Sequence, residues 1–487
     1  MIMTMLLNGT FDGAGHNVSG VYLDGGYMQG VGLFGRVESG GKVCNLGVTD
    51  SYFKGNSYWN GAVCGFINEG TIENCYADAT VVGSNDGGVC GQNQGTVANC
   101  YSVGKVSGKS NVGGVCGDNE GEITNCYSVG KVSGDECVGG VCGYNEGEIT
   151  NCYSVDKVSG EYHVGGICGE NYGTLANCYY DSTVCGGSAI GYDDGNSVNV
   201  LGKTTAQFKS GEVCYLLNQN DGIENDVWGQ NIGTDKAPVL GGEKVYKITY
   251  KNGDSEYEAD YANAGEFELP VSSLKGFVAY SDNTDYLFAG QKVQIESDTS
   301  FNIVRLTINM MKGASMRMNE QTGIRFYSQI DTDLITALRN AARNAGATIS
   351  LGTIISKKSI IGEQEFTKDI SSQLVDIKYI DVKYEAETWY SEDEFTGMVG
   401  SILNIKESNY NEEFVGRGYV TVTYGDVSTT VYADYAGDSI SNNSRSICYI
   451  ANQIMKDQAE YETLSPEKQQ IVKDFADKYT GEDKYNQ

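Results

Sequence analysis

Two series of cysteines set out the chemistry this chain offers most plainly. Cys64, Cys90, Cys116, Cys142 and Cys168 stand 26 residues apart; Cys100, Cys126, Cys152 and Cys178 hold the same interval, with Cys75 one residue out of step. Thiols in such series can pair as disulfides, ligate a metal or pack as small apolar groups. On strands stacked about 4.8 Å apart, neighbouring cysteines fall within bridgeable Cα separations. Yet the total of fifteen is odd, and the sulphurs stand where small apolar residues would serve, as in Ala62-Val63-Cys64 and Gly88-Val89-Cys90. The expectation is a ladder of buried free thiols. A metal site is not expected: no Cys-x-x-Cys occurs, and the two histidines, His16 and His163, lie far from any matching ligand spacing.

The same histidines bound the catalytic options. A zinc peptidase needs His-Glu-x-x-His, but His16 is followed by Asn17 and His163 by Val164. Neither histidine accompanies a serine or cysteine nucleophile signature. Clustered carboxylates at Asp193-Asp194, Asp221 and Asp226 are the remaining candidates for glycan hydrolysis or elimination. In a chain with 64 acidic against 34 basic residues, such pairs read first as solvated turns. Calcium is the one cofactor these turns, or Asp118-Asn119-Glu120, suggest, although no EF-hand loop or Gly-Gly-x-Gly-x-Asp nonapeptide is present. No catalytic residue is assigned, and the chain is expected to be non-enzymatic.

Two groups suit binding. Tyr101, Tyr127, Tyr153 and Tyr179 each follow a cysteine, with Tyr76 in the preceding copy. If the sulphurs face inward the rings face outward, a row suited to stacking on sugar rings or on a partner protein. The alternative is an aromatic ladder that only stabilises strand stacking. Farther on, Arg317, Arg325, Arg417, Arg445 and Glu407 are expected to converge as a structural ion-pair cluster or an anion pocket. A net charge of −30 disfavours nucleic acid and anionic membrane as partners, and no apolar run is long enough to span a bilayer.

These side chains are positioned by a repeat. Gly113-Gly114-Val115-Cys116-Gly117, Gly121-Glu122-Ile123-Thr124-Asn125-Cys126-Tyr127-Ser128 and Lys131-Val132-Ser133-Gly134 recur with few changes every 26 residues. A period in this range marks a stack of one unit. Short Val, Ile, Cys and Tyr runs broken by glycine give strands, and no apolar spacing of i, i+3, i+4 gives a helix. The repeat predicts a right-handed parallel β-solenoid with three strands per coil. Asn74, Asn99, Asn125, Asn151 and Asn177 are expected at a bend, bonded from one coil to the next.

The phrase Gly-Gly-x-x-Gly-x-Asn-x-Gly-x-Ile-x-Asn-Cys-Tyr-Ser resembles the GLUG repeat of bacterial surface and secreted proteins. Gly32-Leu33-Phe34-Gly35 and Gly211-Glu212-Val213-Cys214-Tyr215 are similar to the ends of such arrays, so the resemblance runs over residues 7–243. It implies an extracellular or cell-surface bacterial protein, adhesin-like, with carbohydrate or a host or cell-surface protein as partner. The alternative it implies is a non-catalytic accessory region of a larger secreted glycan-degrading enzyme or peptidase. Met1 to Leu7 lacks a basic, apolar leader, and Asn8-Gly9-Thr10-Phe11 reads as the middle of a coil, so the sequence is expected to begin inside a longer protein.

Four segments are expected: the solenoid over 1–190, a closing, loop-rich strap over 191–243, a small β spacer over 244–304 and an α+β domain over 305–487. In the spacer, Val245 to Tyr250 alternates and leads into the hairpin signal Lys251-Asn252-Gly253-Asp254. In the last segment, helices are expected over 331–345, 444–455 and from Ser465-Pro466, between strands at 322–330, 347–356, 374–382, 396–405, 413–424 and 428–436. Gly313 to Arg317 and Thr322 to Phe326 are similar to a C-terminal module of modular secreted bacterial proteins.

Overall fold

In the computed structural model, residues 6–219, 227–319, 321–362, 364–370, 380–384, 390–392 and 395–481 are described. Their contacts gather into two units. One holds residues 1–248, 260–264 and 295–298; the other holds 249–259, 265–294 and 299–487.

The first unit is a parallel β-solenoid. Each central coil carries five short strands rather than the three expected, for example Cys116–Asn119, Glu122–Thr124, Tyr127–Ser128, Lys131–Ser133 and Glu136–Gly139. The first of these joins an eight-stranded sheet running from Leu6–Leu7 to Ile190–Asp193, and the others build a second, longer sheet. The chain turns more often than parity suggests because asparagine takes the left-handed conformation cheaply. Asn74, Asn99, Asn125, Asn151 and Asn177 all have φ between 50° and 52°. At this corner Asn99 donates to Asn74, and Asn74 donates to Asn45.

Identical residues stack in register, which fills the interior. Cys90, Cys116, Cys142 and Cys168 pair strand to strand, and the Cys90 and Cys116 sulphurs are 3.6 Å apart. All fifteen cysteines are free thiols, and burial pushes the Cys64 thiol up to about 12. Val97, Ile123, Ile149 and Leu175 form a fully buried apolar column beside them. A second polar column, which the expected bend did not include, runs through the core: Asn93 donates to Asn119, Asn119 to Asn145, Asn145 to Asn171 and Asn171 to Asp193, at 2.7–2.8 Å. Each amide here satisfies the next, so the column is affordable in a dry interior. The glycine pairs allow coils to approach: a Cβ on Gly114 would lie 2.1 Å from the Gly140 carbonyl oxygen.

After the last coils the chain folds back over the solenoid. This segment is less loop-rich than expected, since it holds helices Thr205–Ser210 and Glu212–Asn218. Thr204 and Gln207 form a capping box that starts the first, a signal present in the sequence. Trp228–Gly229 then pairs with Val239–Leu240, and Asn218 bonds both the carbonyl and the amide of Trp228.

In the second unit, Phe277–Ser281 lies between Tyr286–Leu287 and Thr299–Arg305. Strand Thr322–Asp331 pairs with Phe395–Leu403, Ile308–Met310 and Ser315–Met318. A further antiparallel sheet places Thr348–Lys357 between Ile380–Tyr384 and Phe414–Tyr424, which also pairs with Val427–Tyr432. Of the strand expected over 374–382, residues 374–379 lie outside the described residues. Helix Thr332–Ala345 is capped by Asp331 and by Gly346 at φ 79°, and buries Ile335, Leu338 and Ala342. The helix expected from Ser444 starts later, at Ile447, because Ser444–Arg445 pairs as a strand and Ser446 supplies the cap. Ser465 caps Pro466–Ala476 as its sequence implies. Among the described residues no helix is long and apolar enough to cross a membrane.

Candidate functional site

The post-cysteine tyrosines do point away from the sulphurs and stack. Tyr101 and Tyr127 lie 4.7 Å apart between ring centroids, and Tyr127 and Tyr153 lie 5.0 Å apart, with ring planes within 10° of parallel. They do not form the open strip expected of them. Tyr127, Tyr153 and Tyr179 are buried beneath Phe208, Val213, Leu217 and Trp228 of the closing segment. The Tyr153 hydroxyl donates to the Pro238 carbonyl. Only Tyr76 and Tyr101, at the end of the row, stay half-exposed. The correction has a simple cause: an apolar row left outside the coil is covered by the chain's own next amphipathic segment.

A different set of rings includes two that are exposed, Tyr172 and Tyr192, beside the partly buried Tyr144. Tyr144, Tyr172 and Tyr192 lie on and beside the eight-stranded sheet, with Tyr172 5.6 Å from Tyr144 and 5.8 Å from Tyr192. Tyr172 is 44% and Tyr192 43% exposed. The Tyr144 hydroxyl donates to Glu146, and Glu170 lies between Tyr144 and Tyr192 in strand register. The surface therefore combines aromatic faces with hydrogen-bond acceptors.

His163 reaches the same place, its ring 5.4 Å from that of Tyr192. Its Nδ1 contacts a Glu170 carboxylate oxygen, which also accepts from the Cys137 thiol at 3.0 Å. Burial, with Glu170 next, pushes the Cys137 thiol up to about 12. Burial alone would raise the Glu170 carboxyl, but bonds from Cys137 and His163 carry it below its ordinary value. Among the described residues this is the one group of three side chains able to hold a metal ion together. Sequence spacing missed it because the three donors meet only across successive coils.

The other candidates are engaged or dispersed. Asp193 accepts from Asn171 and from the Gly195 amide, ending the interior column, while Asp221 and Asp226 lie outside the described residues. Asp118 Oδ2 accepts from Asn85 and Glu120 accepts from Gln92 and Gln94, so most of the carboxylate oxygens of the turn considered for calcium are bonded to amides, while Asp118 Oδ1 is buried. Two buried carboxyls have unusual settings: burial pushes Asp86 up to about 7 and Asp156 to about 6. Asp86 accepts from Asn60, and Asp156 accepts from the Gly130 amide and Ser154.

The five charged residues of the second unit do not converge. Arg417 is bonded to the Ala433 and Phe366 carbonyls and to Glu365, and lies over the Tyr432 and Tyr435 rings. Glu407 pairs instead with Lys478 at 2.9 Å. Arg325 and Arg445 line one cavity, with Tyr449 and Gln453, and Arg317 is half-buried on strand Ser315–Met318. The reason is that short backbone carbonyls near Arg417 and Arg445 satisfy the guanidiniums locally.

Residues 134–159 match the GLUG motif. Neither a curated protein nor a solved structure matches the chain.

Proposed function

We propose that this is a non-enzymatic binding protein of the extracellular space or cell surface, whose solenoid presents repeated side-chain rows to carbohydrate. The observation that carries this reading is the pair of exposed rings, Tyr172 and Tyr192, clustered with the partly buried Tyr144 beside Glu146 and Glu170. Pyranose rings pack their C–H faces on exposed aromatic rings, while carboxylates accept from sugar hydroxyls. Coil stacking holds the rings at fixed spacing without a deep pocket, as suits an extended chain of similar units. The GLUG match over residues 134–159 fits a repeat-containing surface protein.

The test is a glycan array probed with the full chain, wild type against Tyr172→Ala plus Tyr192→Ala. Binding by the wild type that falls at least about tenfold in the double variant supports the proposal, a loss of the size expected for two stacking contacts. Equal binding by both proteins, or no bound glycan, contradicts it. Binding to matrix proteins alone would replace carbohydrate by a protein partner.

A further inference from the structure

The corner that carries Cys137 and His163 holds a different residue in the coils just before them. In the two preceding coils the equivalent positions hold Asn85 and Asn111, with φ of 54° and 51°, and the coil before those carries Trp59 at φ 73°. Asparagine enters this left-handed region at little cost and histidine is also enriched there, whereas cysteine enters it rarely. Cys137 and His163 nevertheless adopt φ of 52° and 48°. They lie side by side on paired strands, since Glu136 pairs with Tyr162 and Val138 with Val164. The contact that Cys137 makes also has a precedent in an earlier coil. Asn85 donates to Asp118, 33 residues on, and Cys137 donates to Glu170, again 33 residues on. Two successive corners and one facing strand position have thus exchanged amides and aspartate for a thiol, an imidazole and a longer carboxylate. Strain accepted at Cys137, with the three side chains gathered on one point, indicates a use for those side chains.

Cys137 also differs from the buried thiols of the two ladders. It lies outside the apolar core and is only half-buried, while the side chain of His163 is 45% exposed. Its sulphur, the Glu170 oxygen and the His163 nitrogen all lie within 4.8 Å of one another. A tetrahedral zinc ion at about 2.0–2.3 Å from each donor separates those donors by about 3.5 Å. Small side-chain rotations bring the three to that spacing.

We propose that Cys137, His163 and Glu170 form a binding site for a divalent transition metal ion of the zinc class. Sulphur and imidazole donors select against calcium and magnesium, which take oxygen ligands. Three protein donors leave the fourth position to solvent or to a ligand. On binding, the Cys137 S–H bond breaks, its proton passes to solvent and the sulphur binds the ion; His163 binds as neutral imidazole and Glu170 as carboxylate. The ion's two positive charges are balanced by the thiolate and carboxylate. No electron transfer is involved. Tyr192 packs against the His163 ring and restricts its orientation, the part second-shell groups play at metal sites. The site shares Glu170 and the neighbouring Tyr192 with the carbohydrate reading, but metal binding is read directly and does not require that a glycan binds.

The test uses the full chain under reducing conditions, titrated with Zn2+ by calorimetry and with Co2+ by absorption. His163→Asn and Cys137→Asn restore the residue that neighbouring coils carry at this corner, so they preserve its backbone conformation. The expected result is one equivalent of metal bound by the wild type, weakened about 100-fold or more in each variant. Cobalt should give a thiolate-to-metal band that Cys137→Asn abolishes. Zn2+ should also slow alkylation of Cys137 in the wild type, a readout that needs no variant. Failure of the wild type to bind Zn2+ or Co2+, binding unchanged in both variants, or alkylation of Cys137 indifferent to Zn2+ would overturn the proposal.

Discussion

The ring of Trp228 sits 5.4 Å from that of Tyr153, and this contact closes the tyrosine row over the centre of the coil. Trp228 is 1% and Tyr153 1% exposed. The row is therefore a seam between the solenoid and its closing segment.

If the row is a seam, Tyr153→Ala removes a buried ring stacked on Tyr127 and packed by Phe208 and Trp228. The expected loss is about 3–5 kcal/mol of stability, as for other buried aromatic truncations. Denaturant unfolding followed by tryptophan fluorescence measures it. A loss below about 1 kcal/mol would mean that the segment does not pack on the row.

Much of the solenoid was legible because the repeat is exact enough to place like residues in register: one cysteine per column position implies its neighbours. The cover was not, because Phe208, Val213 and Trp228 share no period with Tyr127 or Tyr153. The Thr204-x-x-Gln207 cap was visible but marks only a helix, with no indication of what the helix covers. The Asn93 to Asn171 column was as periodic as the corner asparagines, yet the direction of its side chains depends on bends that strand parity does not reveal. Cys137, His163 and Glu170 escaped because two donors are one coil apart and the third sits on a different strand.

Acidity should strengthen the solenoid. Burial holds the Asp86 carboxyl at about 7 when folded, above its ordinary 3.8, so the folded state binds the proton more tightly than the unfolded chain. The associated stability is present at low pH and is lost as pH rises through about 7. Thermal unfolding of the wild type should occur at a higher temperature at pH 5 than at pH 8. Asp86→Asn should reduce that difference by a free energy on the order of 2–4 kcal/mol. An unchanged pH dependence in Asp86→Asn would contradict the assigned burial of this charge.

The interior amide column should be intolerant of gaps. Asn145 accepts from Asn119 and donates to Asn171, so Asn145→Ala takes the donor from Asn171 Oδ1, while the Asn119 amide keeps the Gly121 and Glu148 carbonyls. A cost of about 1–3 kcal/mol is expected, that of one unsatisfied buried group. Urea unfolding reads it, and a near-neutral result would show that water replaces the amide.

Thiol accessibility should divide the cysteines sharply. Thirteen are buried, while Cys137 and Cys185 are of intermediate exposure. A chromogenic disulfide reagent added to the native protein should label at most these two, with Cys137 slow because its thiol is pushed up to about 12. Denaturation should release all fifteen. Prompt reaction of the ladder cysteines in the native state would contradict the packed core.

The most direct measurement of which tyrosines the solenoid leaves open is hydroxyl-radical footprinting of the native full chain, read tyrosine by tyrosine by mass spectrometry. The arrangement described here predicts fast oxidation of Tyr172 and Tyr192, with Tyr153 and Tyr179 protected until the protein unfolds. Fast oxidation of Tyr153 and Tyr179 in the folded protein, with Tyr172 and Tyr192 protected, would contradict it.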